Sequence, residues 1–338
     1  MARPSRRQIL QRGFALAGLG LVSGCGQPPR LPWQQPPKVP RVGWLSPGSG
    51  TSDENFLASF RDGLGELGWV VGRNIAIEPR WADGSFERLP DLAAELVRLK
   101  VDVIVASVTQ ASLAAKQATA TIPIVMVGVG DPLGSGLVTS LAHPGGNVTG
   151  PSSMLVDVSA KQLALLNETV PNASSVAVLW NPANPVWHAA ASRETEAAAR
   201  ALGLRLQLLE ARGPDELEGA FAGMTGGHAG ALFVPADIIL VRHAQQIADL
   251  AARHRLPAMY AFREHVQAGG LMSYAADFGV MFRRAAAFVD KLLKGTSPAD
   301  LPVEGPTRFE LVINLKTAGA LGLTIPESVL LQATEVIQ

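Results

Sequence analysis

From Val39 onward, apolar residues fall into two rhythms: runs of four or five, and stripes at every third or fourth position. These are the marks of buried strands and of helices with one apolar face. Val42-Gly43-Trp44-Leu45 is the first run. After a polar loop, Thr51 and Glu54 have capping-box spacing ahead of a helix whose Phe56, Phe60, Leu64 and Leu67 share one face. Gly68 stops that helix, and a strand is predicted over Asn74 to Glu78. A second helix carries Leu89, Leu92, Leu96 and Leu99, and Val103-Ile104-Val105-Ala106 reads as a buried strand. The order is β-α-β-α-β.

The same plan returns about 135 residues later, and an internal repeat of this kind decides the architecture. Val176-Ala177-Val178-Leu179-Trp180 matches the first strand, and Leu202-Gly203 matches Leu67-Gly68 at the end of the following helix. Ala231-Leu232-Phe233-Val234 matches the buried strand. Each half then adds a helix and an X-Pro step into another strand: Ile122-Pro123 before Ile124 to Val127, and Leu256-Pro257 before Ala258 to Tyr260. Strands alternating with helices make parallel sheets, because a right-handed crossover helix returns the chain to the same edge. The predicted fold class is therefore α/β, with two doubly wound parallel-sheet lobes joined by a hinge. A helix from Phe278 with Phe282, Ala285, Val289 and Leu292 on one face, stopped by Gly295 and Pro298, is expected to cross back to the first lobe. The expected lobes are residues 39–150 plus about 276–303, and 151–275 plus about 304–338.

The start of the chain follows different rules. Ser5-Arg6-Arg7-Gln8-Ile9-Leu10 is a twin-arginine pattern, Gly13 to Val22 is a short apolar stretch, and Val22-Ser23-Gly24 places small residues before Cys25, the sole cysteine. Together they read as a lipoprotein export signal over residues 1–24, with Cys25 as the lipidated residue. The apolar stretch is about half the ~20 residues a membrane-spanning helix needs. Pro28, Pro29, Pro32, Pro36, Pro37 and Pro40 favour extended polyproline geometry, and residues 25–38 read as a tether between lipid and domain, a composition that an unstructured leftover of processing shares.

Removing the signal leaves about 310 residues, enough for two α/β domains of ~100–200 residues. The chain has 29 basic and 29 acidic residues; because Arg3, Arg6, Arg7 and Arg12 fall in the acid-free signal, the rest is net acidic. Without a basic block there is no footprint for a nucleic-acid partner. With its one cysteine assigned to lipid, the chain has no disulfide or cysteine-metal site. His143, His188, His228, His243, His254 and His265 show no metal-ligand spacing and read as solvated surface residues. Neither a nucleophile elbow nor a cofactor motif is present, so no catalytic residue, metal or cofactor is assigned.

A further set of residues carries a family resemblance: Gly63 with Leu67-Gly68-Trp69 and Gly72-Arg73-Asn74, Asp102 to Ser107, and Ile122-Pro123-Ile124-Val125. The longest match runs from Asp131-Pro132 through Gly136-Leu137-Val138 to Pro144-Gly145-Gly146-Asn147-Val148-Thr149-Gly150. Asn314-Leu315-Lys316-Thr317-Ala318 and Ile325-Pro326-Glu327-Ser328 complete it. In this ordered set the chain resembles the substrate-binding proteins of ABC importers, in the group that includes tryptophan- and phenylalanine-type binding lipoproteins. The resemblance implies a hinged protein of the type I periplasmic-binding fold that closes on an amino acid or similar solute outside the cytoplasm. Its implied partners are that small molecule, an ABC permease with its ATPase, and the membrane through lipid on Cys25. A monomer is expected.

Open parallel sheets bind ligands outside the carboxyl ends of their strands, so facing lobes enclose a ligand between them. The candidate ligand-binding residues are Ser46, Ser107, Thr109, Gln110 and Asp131 in the first lobe, and Ser153, Asn181, Asn184, Asp237 and Glu264 in the second. Hydroxyls and amides suit a carboxylate, and a side chain such as Asp237 suits an ammonium group. Ser107 and Thr109 equally suit a helix cap, as does Asp237, while Asp131 before Pro132 fits a turn better than a ligand contact. Trp44, Trp180 and Tyr260 fit either stacking on an aromatic ligand or core packing. Two other functional classes share the fold: a sensing subunit for a signalling protein, and a tethered enzyme whose chemistry has no visible residues.

Overall fold

The computed structural model describes residues 38–182 and 192–338; the predicted signal, Cys25, the tether up to residue 37 and Asn184 lie outside the described residues. The first lobe contains β1 (Arg41–Ser46), α1 (Glu54–Glu66), β2 (Ala76–Trp81), α2 (Leu89–Arg98), β3 (Val103–Ser107), α3 (Val108–Ala118), β4 (Ile124–Val127) and β5 (Val148–Thr149). Its five strands are all parallel, in the order β2-β1-β3-β4-β5.

The chain then continues through α4 (Leu155–Thr169), β6 (Ser175–Trp180), α5 (Ser192–Ala201), β7 (Arg205–Glu210), α6 (Pro214–Gly226) and β8 (Ala231–Val234). Next come α7 (Ile238–Arg242), α8 (Ala244–Arg253), β9 (Ala258–Tyr260), α9 (Arg263–Gln267), β10 (Met272–Ala276) and α10 (Phe278–Leu293). The last elements are β11 (Phe309–Asn314), α11 (Leu315–Leu321), α12 (Glu327–Leu330) and β12 (Glu335–Ile337). The second sheet has the order β12-β11-β10-β9-β8-β6-β7, parallel except where β10 meets β11. That exception has a topological cause. The chain leaves the second sheet along β10, packs α10 against the first, and returns along β11, which must therefore run the opposite way.

Alternate residues of a central strand serve opposite faces. Trp44 packs with Phe60, Leu64 and the α10 residues Phe282 and Val289 on one side of the first sheet, and its neighbour Leu45 packs with Leu96, Ile104 and Met126 on the other. Both faces are covered by helices, so the strands are continuously apolar rather than alternating. The predicted strands Ile124 to Val127, Ala231 to Val234 and Ala258 to Tyr260 coincide with β4, β8 and β9. Gly150 makes the first crossing, with φ +131° and its Cα so close to β4 that a β-carbon would stand 2.2 Å from the Met126 carbonyl oxygen. Only glycine meets both conditions.

Three local expectations are corrected. The Thr51–Glu54 capping box does not form: α1 starts after Asp53 with no side-chain cap bond, and the loop is instead held by Ser52 N donating to Ser49 Oγ at 3.1 Å. The second strand starts two residues later than expected and runs on through Pro79. Asn74 closes a turn by accepting from Val70 N and donating to Gly68 O, and β2 is an edge strand, where a missing N–H is tolerated. His265 is not on the surface but 1% exposed, its ring stacked 4.7 Å from that of Tyr260. Trp44 and Tyr260 are fully buried, and Trp180 belongs to the second-lobe core.

Burial holds the His265 ring neutral and lowers its pKa to about 4; backbone groups of Phe262 and Leu240 act the other way without offsetting it, and neither ring nitrogen reaches a hydrogen-bond partner. The unfolded chain, with an ordinary histidine pKa near 6.5, binds a proton that the fold excludes. The stabilising effect is therefore complete above about pH 6.5 and lost as the pH falls towards 4, by about 3 kcal/mol. Urea unfolding at pH 7.5, 5.5 and 4.5 is expected to show this loss, with a shallower slope in His265→Phe. Equal slopes in the two proteins would remove His265 as the cause.

Candidate functional site

Because each sheet is parallel at its centre, the carboxyl ends of its strands share one side, and the loops leaving them are where a ligand meets the protein. In the first lobe, β3 ends at Ser107 and α3 begins at the next residue. Val108 carries the turn at φ +58°, a costly conformation for a β-branched side chain. Ser107 and Thr109 are 8% and 4% exposed, and neither hydroxyl has a hydrogen-bond partner among the described residues. Gln110 is half-buried on the same turn. Two hydroxyls without partners among the described residues, beside the first-turn N–H groups of an 11-residue helix, make a neutral set of donors suited to a carboxylate.

The other first-lobe candidates have local bonds that shape the rim. Ser46 ends β1 and its Oγ accepts from Gly48 N at 3.0 Å, while Asp131 Oδ1 accepts from Gly134 N at 2.7 Å and closes a turn. Ser153, fully buried beyond the first crossing, donates from Oγ to the Gly128 carbonyl at 3.1 Å.

In the second lobe, Asp237 caps α7: its Oδ1 accepts from Ile239 N at 2.8 Å and Leu240 N at 2.9 Å. Asn181 Nδ2 donates to the same oxygen at 3.5 Å, so the structure brings the ends of β6 and β8 together through these two side chains. Both are buried.

Residues of both lobes also line a cavity of about 320 Å³. From α1 and the turn before it come Ser52, Asn55, Phe56 and Ser59, whose spacing places them on one helix face. Facing them are Phe262 to Glu264 at the start of α9, with Glu310 on β11 and Asp277 and Phe278 at the head of α10. Phe278 stands 6.0 Å from both Phe56 and Phe262 between ring centres, which makes one wall aromatic and joins the lobes. The opposite wall carries the carboxylates of Glu264, Asp277 and Glu310 together with Arg263, which pairs with Glu310 at 3.4 Å. Burial and the neighbouring Asp277 raise the Glu310 pKa, with Arg263 and Arg308 partly opposing them. Glu264 is the one sequence candidate that lines this cavity.

Sequence reasoning missed Asn55, Ser59, Asp277 and Glu310. Ser52, Asn55 and Ser59 form a polar stripe beside the apolar one on α1 and were visible by the same helical count; Glu310 depends on the β10–β11 pairing, which leaves no local signal. Asp53, under the loop after β1, was also missed: it is buried, with Oδ2 lacking a hydrogen-bond partner, and its pKa is raised by desolvation, against hydrogen bonding from Ser46 and Ser52 and the nearby Trp44 ring nitrogen. Among the described residues no three His, Cys, Asp or Glu side chains come together in a way that could hold a metal.

Known proteins resemble this chain in sequence and fold. A tyrosine-binding protein of Clostridioides difficile is 28% identical over 273 residues, which cover 78% of this chain and 75% of the relative. The structure of a Streptococcus pneumoniae ABC domain in complex with L-Trp superposes with a TM-score of 0.79 at 28% identity, covering 88% of this chain and all of the other. A conserved domain protein of Vibrio cholerae superposes at 0.80 with 27% identity over the same shares. The first two of these are described by the amino acid they hold. The family model described as ABC transporter substrate binding protein matches residues 45–337. Since that match runs from β1 to the last strand and leaves neither lobe outside it, the chain belongs to the family of ABC transporter substrate-binding proteins.

Proposed function

We propose that this protein is an extracytoplasmic lipoprotein that captures an aromatic amino acid between its lobes and delivers it to an ABC permease with its ATPase. The observation that supports this reading is the pair of Ser107 and Thr109 hydroxyls at the head of α3, which have no hydrogen-bond partner among the described residues, taken together with the phenylalanine wall and the carboxylates of the cavity between the lobes. Such a cleft is complementary to a zwitterion. The ligand's carboxylate lies at Ser107, Thr109 and the first-turn N–H groups, its ammonium group towards Asp237 and Glu264, and its ring along the phenylalanine wall. Gln110 reaches the ligand from the side, and Ser46, Asp131, Ser153 and Asn181 hold the surrounding loops. Relatives that bind tyrosine and L-tryptophan support the choice of ligand class.

Calorimetric titration with each of the common amino acids tests the reading: binding of an aromatic one is expected, and no binding by any would overturn it. A ligand at ~100 times its dissociation constant stabilises the fold by ~2.7 kcal/mol. Closure of the lobes on it is expected to reduce the radius measured by small-angle scattering; an unchanged radius with proven binding would refute hinge closure.

Asp237 separates ligand binding from scaffold. Asp237→Ala loses the cap, worth ~1 kcal/mol of stability, and the charge; Asp237→Asn keeps a good cap acceptor. If the carboxylate meets the ligand's ammonium group, both variants lose roughly 30-fold or more in affinity, as truncating a desolvated charged pair costs ~2–5 kcal/mol. Wild-type affinity in Asp237→Asn would reduce the residue to a cap.

No helix among the described residues is long and apolar enough to cross a membrane. In this reading the anchor is lipid on Cys25, carried on the proline-rich tether. Cys25→Ala is expected to move the protein from the membrane to the soluble fraction; a variant that stays with membranes through a mild salt wash would disprove lipidation.

A further inference from the structure

The crossings between the lobes stand beside β4 and β5, where Val129 bridges to Ser152, and β2 is the strand at the far edge of the first sheet. The cleft therefore opens on the β2 side. There the loop after β2 is tied to the loop after β1 by three backbone bonds, from Ala82 N to Ser46 O, Asp83 N to Gly48 O and Gly84 N to Pro47 O, at 2.9, 2.9 and 2.7 Å. From the second lobe, Arg242 at the end of α7 reaches this loop. A β-carbon placed on Gly84 would stand 1.3 Å from Arg242 Nη1 and 2.3 Å from its Cζ. At this loop the second lobe meets the first through one guanidinium and one residue that has no side chain. Gly84 also has φ +87°, a backbone conformation that favours glycine, and its bare Cα leaves room for the guanidinium.

We propose that Arg242 is a latch that sets how long the closed cleft keeps its ligand: its guanidinium seats on the bare backbone of Gly84 when the lobes close, and lifts away before the ligand leaves. The inference rests on the hinged-cleft reading above. A guanidinium is planar and weakly hydrated, which suits it to lying flat on a peptide. Arg242 is exposed, so the contact is modest and reversible. A contact made only in the closed state nonetheless shifts the open–closed equilibrium by its whole free energy. Asp237 is then also a positioning residue, because the helix it caps carries Arg242.

The test uses the full-length protein and its variants Arg242→Ala, Arg242→Lys, Gly84→Ala and Arg242→Ala/Gly84→Ala. Scattering radii are measured without ligand, and release of L-tryptophan and L-tyrosine is followed by stopped flow. Arg242→Ala is expected to have a larger unliganded radius, about tenfold faster release and an unchanged melting temperature, the effect of an interface contact falling on dissociation. Arg242→Lys, which keeps the charge and loses the plane, is expected to follow it; wild-type behaviour of this variant would overturn the seating geometry. Gly84→Ala is expected to act in the same direction and to add nothing once Arg242 is removed. A wild-type radius and release rate in Arg242→Ala, or additive effects in the double variant, would overturn the latch. If neither amino acid binds the wild-type protein, the ligand assignment fails and the unliganded radii alone decide the latch. If Gly84→Ala does not fold, the two Arg242 variants decide it.

Discussion

The close packing of α10 on α1 sets the geometry of the whole molecule. A β-carbon on Gly63 would stand 2.5 Å from the Arg283 carbonyl oxygen and 3.0 Å from the Ala286 β-carbon, so the approach depends on glycine. Around this contact Phe282 stands 5.0 Å from Trp44 and 5.1 Å from Phe56 between ring centres. Each such side chain stabilises its lobe by about 1.5–3 kcal/mol when removed from water, which holds α10 on the first sheet although β10, immediately before it, belongs to the second. Having crossed, the chain must return. The antiparallel β11 and the gathering of the crossings at one edge follow from that single excursion, and the opposite edge is left to open.

In the proposed binding reading the two lobes supply different chemistries. The first lobe offers the Ser107 and Thr109 hydroxyls at the head of α3, which have no partner among the described residues, and the second offers Asp237, buried, Glu310, half-buried, and Glu264, exposed. A ligand that supplies an acceptor to these hydroxyls gains hydrogen bonds worth about 0.5–1.5 kcal/mol each. The strained Val108 turn belongs to the same arrangement, since it aims the α3 head away from β3 without a glycine. Away from the cleft, polar groups in the dry interior are kept uncharged instead: burial pushes the Tyr260 hydroxyl pKa up and the adjacent His265 pKa down.

Much of the fold was legible because parallel sheets covered on both faces need continuous apolar runs, which stand out without any knowledge of their neighbours. The repeat of about 135 residues exposed the two lobes for the same reason. Errors fell where a long-range partner sets the local outcome. Pro79 looks like a strand breaker until β2 is known to be an edge strand, and His265 looks like a surface residue until Tyr260 is found beneath it. Asp237 was recognised as suited to both a cap and a ligand, and its cap bonds are now seen directly.

By itself the sequence determined the α/β class, the duplicated plan, the positions of the central strands and the loops that could meet a ligand, since all of these rest on periodicity and turn chemistry within a few residues. Only the tertiary structure decided which of those loops come together: Asn181 with Asp237, Phe56 with Phe278 and Phe262, Glu310 beside Asp277, and Arg242 on Gly84. Those pairings join residues far apart in the chain, and they exist because the packing of helices on two sheets fixes where the strand ends stand in space.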